Sequence, residues 1–417
     1  MIIILAILHC FVPFLTMSNV SLNLPEAIDL AVIGAGPQAL TLVTHLLQKK
    51  KSLRRKILVF DASGVWMSRW HHQFAALEIP HLRSPAVHHP DPDAYALRRF
   101  AELRPQELYP PYSLPGTTLF KEFCQDVVKR WQLQDRLVPL AVEELEPIVH
   151  HSRKRFLLGL KDGRSLLARR VVLAAGSHQP NFPEWVKEIP TNFPKDRLLH
   201  ANQIDLRTLS LKNERILIVG GGLTSGHLAL GALARGAKVV LTHRRQFREK
   251  LFDSDPGWLG PKYLNGFWNE PHWGDRWEMI QTARDGGSLT MAVMTQLRRA
   301  NHCQQLSFQE CCRVVQAQWQ EFYWQVQCDN GTTQEFDRIW LATGTRLNAE
   351  IEPLLSSMSR VFPLPLINGL PVLEKDLRWG KSDLFLMGGL TALRVGPAAR
   401  NLSGGRMASR CIVPALT

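Results

Sequence analysis

Two short glycine-centred patterns hold the residues of this 417-residue chain whose types and spacing could do chemistry. One is AVIGAGPQAL, with Gly34, Gly36, Pro37, Gln38 and Ala39; the other is ILIVGGGLTSGHLAL, with Gly220, Gly222, Thr224 and Ser225. Each follows an apolar run. Glycines at such a turn let the backbone approach a diphosphate, and the helix that follows aims its N-terminal amides at it. One such pattern is a weak signal. Two in one chain, each between an expected strand and an expected helix, imply two dinucleotides held side by side.

The residues just beyond the second strand of each unit separate the two sites. An expected strand at 57–60 ends at Asp61, an acid placed to accept hydrogen bonds from a ribose diol or, in the plainer reading, to cap its own turn. An expected strand at 238–241 ends in Thr242-His243-Arg244-Arg245. Arginines there suit a ribose 2′-phosphate, a solvated strand end being the alternative. The first site therefore suits FAD and the second NADPH.

Several elements must position these groups. The pattern predicts a strand at 30–33, a helix at 37–47, a helix at 118–133, and a meander at 142–148, 155–160 and 165–173. Residues 66–112 show little periodicity. The meander then recurs: DGRSLLARRVVLAAG ends at Gly176, and NGTTQEFDRIWLATG ends at Gly344. Both run from an Asx-Gly turn through a strand to a small-residue turn, so one architectural unit occurs twice. Near the C-terminus a strand at 384–387 precedes Gly388 and Gly389, with a helix from about Ser403 whose N-terminus would face the first cofactor. The expected fold is α/β: two Rossmann-like domains of three-layer ββα architecture. The FAD-binding domain is discontinuous (27–212 and 345–417), the NADPH domain (213–344) is inserted in it, and 1–26 is an extension.

Composition narrows the partners. The chain is 45% hydrophobic and 21% charged, as in globular proteins. A net charge of +13 favours anions such as NADPH or an acidic substrate. Without a helix-turn-helix, RNP or zinc-finger pattern, nucleic acid is not an expected partner. Seven cysteines form no CxxC pair and no zinc spacing. They fit reduced thiols in the cytoplasm, with neither a dithiol centre nor a metal expected. The histidine pairs His71/His72, His88/His89 and His150/His151 lack metal-ligand spacing on a helix and read as surface or loop residues. The opening stretch MIIILAILHCFVPFLTM is apolar, but has no basic residue before the apolar run and no cleavage site. It reads as a mis-assigned start or a disordered extension. A membrane anchor is the rival, and membrane association is expected only in that case.

With those residues in view, the chain resembles the flavoproteins with two dinucleotide-binding domains, and within them the flavin-dependent monooxygenases of the lysine and ornithine N-hydroxylating group. In DASGVWMSRWHHQF, Gly64 and Trp66 after Asp61 are similar to a Gly-x-Trp of flavin monooxygenases. Trp70-His71 and LRSPAVHHPDPDAYALRRF resemble the segment that N-hydroxylases place near the flavin. His200 in LLHANQI is similar to a linker histidine of flavin monooxygenases. The stretch DSDPGWLGPKYLNGFWNEPHWGDRW resembles the N-hydroxylase insertion with an Asn-Glu pair, here Asn269-Glu270. The second glycine motif departs from the group's Gln-Ser-Ala-Ala-Glu and reads Leu223-Thr224-Ser225-Gly226-His227.

The resemblance implies an enzyme using FAD, NADPH and dioxygen, in which a hydroperoxyflavin hydroxylates a small amine or sulfur compound. Alternatives are an NADPH-dependent flavin reductase or oxidase, and a redox-sensing flavoprotein. Oxygen transfer needs a dry site. The Trp- and Pro-rich segments 66–92 and 256–277 are candidates for its cover, or else domain-interface packing. An amine must lose its proton to react, and Asp253, Asp255, Glu270 and His200 are the candidate bases, none of them singled out.

Overall fold

A computed structural model describes residues 23–176 and 179–417; the apolar opening stretch lies outside them. Strand Ala27–Ile33 is apolar on both faces toward its C-terminal end, with Leu30, Ala31, Val32 and Ile33 buried, as a central parallel strand must be. It pairs in parallel with Ile57–Phe60 on one side and Ser165–Leu173 on the other. The latter strand is shared. Its first half pairs antiparallel with Arg153–Leu160, continuing to Val142–His150, while Val171–Leu173 pairs in parallel with Leu384–Leu386. The chain thus returns to its first sheet near its end, and the expected insertion is present. Helix Pro37–Lys49 packs on the C-terminal helix Leu402–Leu416.

The second sheet is wholly parallel, in the order Leu198–His200, Arg338–Leu341, Arg215–Val219, Lys238–His243 and Leu306–Glu310. Helices Leu223–Ala234 and Met291–His302 share one core with it. On the other side lies a separate antiparallel meander, Val314–Gln320, Tyr323–Cys328 and Thr333–Phe336, whose Trp324 and Phe336 join Ile339 and Leu341 in a third core. Helix, parallel sheet and meander are the three expected layers.

Two boundaries run differently from the sequence reading. Leu198–His200, placed by that reading in the first domain, hydrogen-bonds to the second sheet, because its backbone completes the open edge of Arg338–Leu341. Helices Pro261–Asn269 and Trp273–Arg284, placed in the second domain, bury Leu264, Phe267 and Ile280 in the first core. Apolar side chains on these helices are withdrawn from water against the first domain, and that contact decides where they lie. The stretch 66–112 also contains helices Ser68–Ala76 and Ala96–Phe100. Where the chain crosses between domains, Gln179–Pro180 and Thr345–Arg346 pair as a two-stranded ribbon. No helix among the described residues is long and apolar enough to cross a membrane.

Candidate functional site

The first glycine turn is shaped by two opposite demands. Gly34 has φ +99°, and a Cβ there would lie 2.8 Å from the Ala175 Cα, so no side chain fits. Gly36 caps helix Pro37–Lys49 without any side-chain bond to the helix amides, and a Cβ there would meet nothing within 4 Å. The turn therefore leaves room in front of the helix N-terminus, as a diphosphate requires. Asp61 holds the turn from the neighbouring strand. Its Oδ2 accepts from the Ala35 amide at 3.0 Å and its Oδ1 from the Ser63 amide and hydroxyl. Gln38 is buried and donates to the Asn401 carbonyl at 3.0 Å, tying this helix to the start of the C-terminal one. Gly388 lies against Gln38, and Gly388 and Gly389 are buried there.

The second turn repeats the design. Gly220 (φ +148°) has no room for a Cβ beside Ala342, while Gly222 caps helix Leu223–Ala234 with nothing within 4 Å. Ser225 is fully buried and returns its hydroxyl to the Gly222 carbonyl at 2.6 Å, so it serves close packing and Thr224 faces the cleft. Of the two arginines after the strand, Arg245 lies 3.5 Å from Asp285, while Arg244 is exposed at the cleft and forms no ion pair among the described residues.

The second glycine turn and residues 389–401 of the first domain open on one cleft of about 1240 Å³, while Gly34, Gly36, Ala39, Asp61 and Gly388 do not line it. Its wall runs from Gly220, Gly222 and Arg244 past Gly344 to Gly389 and Asn401. Arginines outnumber carboxylates along it. His200 is buried at its edge: Nε2 lies 2.9 Å from the Gly344 carbonyl, Nδ1 accepts from the Asn202 amide, and burial lowers its pKa.

Several sequence-predicted residues sit elsewhere. Trp66 is buried and donates its indole N–H to the Leu133 carbonyl; Trp70 stacks on Phe74 with centroids 3.8 Å apart. Both are packing residues in this fold, since their rings find apolar neighbours first. His71 is half-buried, its Nε2 without a partner among the described residues, and burial brings its pKa to about 4. Asn269 is exposed, and Glu270 accepts from the His272 amide at 2.8 Å; neither lines the cleft. They end a helix whose apolar face, with Phe267, is turned the other way. Asp253 does line the cleft, paired with Arg284 at 2.5 Å, whereas Asp255 lies off it and caps the Gly257 amide at 2.7 Å. Of the two aromatic segments, the cleft takes Gln73 and Arg83 from the first and Trp277 from the second, and most of the remaining tryptophans pack on the first core. Gly176 (φ +74°) lies in the turn beyond the strand Ser165–Leu173. Sequence reasoning missed Arg83, Arg284 and Arg400, all on the cleft wall. No local pattern marks them, because three distant segments bring them together.

Fold and paired turns define a protein of the class with two dinucleotide-binding domains, and residues 31–178 match the FAD-NAD(P)-binding family. More particularly, the chain is similar to amine-hydroxylating members of that class. Over 158 residues it is 27% identical to the L-lysine N6-monooxygenase of Escherichia coli, a match covering 36% of this chain and 35% of that protein, so the chain spans about a third of this curated relative's length. In fold it is similar to the FAD-bound cadaverine monooxygenase of the desferrioxamine pathway of Erwinia amylovora (TM-score 0.77, 14% identity, 94% of this chain and 95% of that one). It is likewise similar to the ornithine N-hydroxylase of Kutzneria sp. 744 (TM-score 0.77, 15% identity, 94% and 99%).

Proposed function

We propose that this protein is a FAD- and NADPH-dependent monooxygenase that hydroxylates a small amine or sulfur nucleophile. The observation that carries the reading is the cleft shared by the second glycine turn and by the segment Gly389–Asn401 that leads into the C-terminal helix of the first domain. The likeness to lysine, ornithine and cadaverine hydroxylases supports it. Gly34, Gly36, Ala39 and Asp61 would hold FAD from one side, and Gly388, Gly389 and the start of Leu402–Leu416 from the other. Gly220, Gly222 and Thr224 would hold the NADPH diphosphate, and Arg244 its 2′-phosphate. Bound together, the cofactors supply hydride transfer and oxygen activation.

The chain's own part is to align the two rings, exclude water and set the protonation of the nucleophile. None of the four candidate bases is free for proton abstraction. Asp253 is paired, Asp255 caps a turn, Glu270 is outside the cleft, and both ring nitrogens of His200 are committed. A cation-rich wall does the work another way. It disfavours an ammonium group and so lowers the pKa of a bound amine, which then loses its proton to water.

The test is to purify the protein, record its visible spectrum, and add NADPH under air and under argon with candidate amines and thioethers. A yellow protein whose NADPH oxidation is matched by hydroxylated product is the expected result. A folded protein that refuses FAD, or peroxide equal to the NADPH used with every nucleophile, overturns the reading.

A further inference from the structure

The inserted half of the chain is not confined to its own sheet. Beyond Lys238–His243 it passes through residues 250–256 to the helices Pro261–Asn269 and Trp273–Arg284, which pack on the first core. It returns through residues 285–288 to Leu289, which is buried in the second core. The two passages run side by side. The Lys250 amide donates to the Leu289 carbonyl and the Leu289 amide to the Arg248 carbonyl, both at 2.9 Å. The return passage also leans on the second glycine turn, since a Cβ on Gly287 (φ +94°) would lie 3.2 Å from the Gly222 Cα.

One side chain of the first domain fastens both passages. Arg83 follows Leu82, which is buried in the first core and whose amide donates to the Pro115 carbonyl. The largely buried Arg83 guanidinium reaches across the boundary. Its Nε donates to the Leu251 carbonyl at 2.9 Å, and its Nη2 to the Lys250 and Phe252 carbonyls at 2.6 and 2.9 Å. It takes the return passage by the buried Ser288, through the hydroxyl at 2.8 Å and the carbonyl at 3.3 Å. Its contact with a carboxylate is weaker: Asp253 stands 3.9 Å away and is claimed by Arg284 at 2.5 Å. Main-chain carbonyls thus supply most of the acceptors, so Arg83 reads the backbone shape of both passages. A planar fork with five N–H donors suits such a set, whereas an ammonium has three donors and no plane. Domains of one chain move relative to one another unless something holds them. Here the holding group is a single residue that engages the way out and the way back.

We infer that Arg83 is a positioning residue, which fixes the inserted domain on the first so that the dinucleotide held at Gly220 and Gly222 meets the flavin in the geometry hydride transfer requires. The inference rests on the proposed function for the identity of the two ligands. Arg83 acts through residues 250–252 and Ser288, and through them on the glycine turn that Gly287 touches. Misplacing reacting groups by about 1 Å costs about a hundredfold in rate, so a clamp at this boundary controls turnover without touching the chemistry.

The experiment uses the full-length protein, with and without FAD, as wild type, Arg83→Lys, Arg83→Gln and Ser288→Ala. Amide hydrogen exchange at residues 249–253 and 286–290 is followed in the FAD-free protein. The limiting rate of flavin reduction at saturating NADPH is measured under argon, with the affinities for FAD and NADPH in parallel. Arg83→Gln should raise exchange in both segments at least tenfold and leave the strands Ile57–Phe60 and Arg215–Val219 unchanged. It should slow flavin reduction tenfold or more, with FAD affinity kept within twofold. Arg83→Lys should recover part of both losses, and Ser288→Ala should raise exchange at 286–290 about threefold. If Arg83→Gln does not fold, these two variants carry the comparison with smaller increments. Unchanged exchange in both segments overturns the inference. So does faster exchange with an unaltered reduction rate, which would make Arg83 a structural brace alone. Weaker FAD or NADPH binding with exchange unaltered overturns it too, and would assign Arg83 to a cofactor. A wild-type protein that NADPH does not reduce would instead overturn the proposed function, and exchange would still decide whether Arg83 joins the two domains.

Discussion

His200 and Gly344 are joined at the seam where the chain passes between its two domains, the imidazole Nε2 lying 2.9 Å from the glycine carbonyl oxygen. Because Nδ1 accepts from the Asn202 amide, the ring proton is on Nε2 and the imidazole is neutral. Replacing His200 with Ala removes a buried bond and should cost about 1–2 kcal/mol of stability. Thermal unfolding checks this. The pH dependence of turnover should keep its shape, since no proton is transferred there, and a lost acidic limb would restore His200 as a base.

Gly34 and Gly36 should fail in different ways. Gly34→Ala forces a Cβ into the Ala175 backbone and should yield little folded protein. Gly36→Ala has room and an ordinary φ of −81°, so the FAD-free protein should melt within a degree or two of wild type. Its methyl group fills the space a diphosphate needs. FAD affinity, followed by fluorescence quenching, should fall at least tenfold.

Arg244→Gln should raise the KM for NADPH about tenfold and leave that for NADH unchanged, since one charge-assisted contact to a 2′-phosphate is lost. Steady-state kinetics with both nucleotides decide the matter. Equal effects on both would place Arg244 elsewhere.

Four buried or half-buried histidines, His45, His71, His89 and His227, are each held by burial at a pKa of about 4. Their unfolded pKa is near the ordinary 6.5, so between these values the unfolded chain binds more protons than the folded one. Stability is therefore fully present above about pH 6.5 and is lost progressively as pH falls towards 4. Melting temperature measured across that range should drop steeply. A flat profile would show that these rings take up protons as readily in the fold as out of it.

Asn269→Ala and Glu270→Gln should each change kcat/KM less than twofold, because both residues lie outside the cleft. A loss of tenfold or more in coupled product formation would mean that the helix ending at Asn269 moves during turnover.

Much of the frame was legible because it rests on local rules. A strand, a turn needing glycine and a helix beginning at Pro37 or Leu223 are written in consecutive residues. The strands Ile57–Phe60 and Ser165–Leu173 fell where their apolar runs lie. The site beyond the glycine turns was less legible. Trp66 carries the same letters whether it touches a ligand or, as here, the Leu133 carbonyl. Asn269-Glu270 was named from the likeness of its stretch to the N-hydroxylase insertion, but the burial of Phe267 turns its helix away from the cleft. Leu198–His200 changed sheets because edge pairing is a tertiary event.

The return of the chain to its first sheet has a consequence for how the molecule is made. Leu384–Leu386 and the helix Leu402–Leu416 leave the ribosome after the inserted half, yet they close the half begun before it. The nascent N-terminal portion must wait, with the faces of Ser165–Leu173 and Pro37–Lys49 still wet, while the whole inserted half is synthesised. Chains cut short before the helix Leu402–Leu416 would therefore expose old apolar surface on Pro37–Lys49, and quality-control proteases would meet them as unfinished goods.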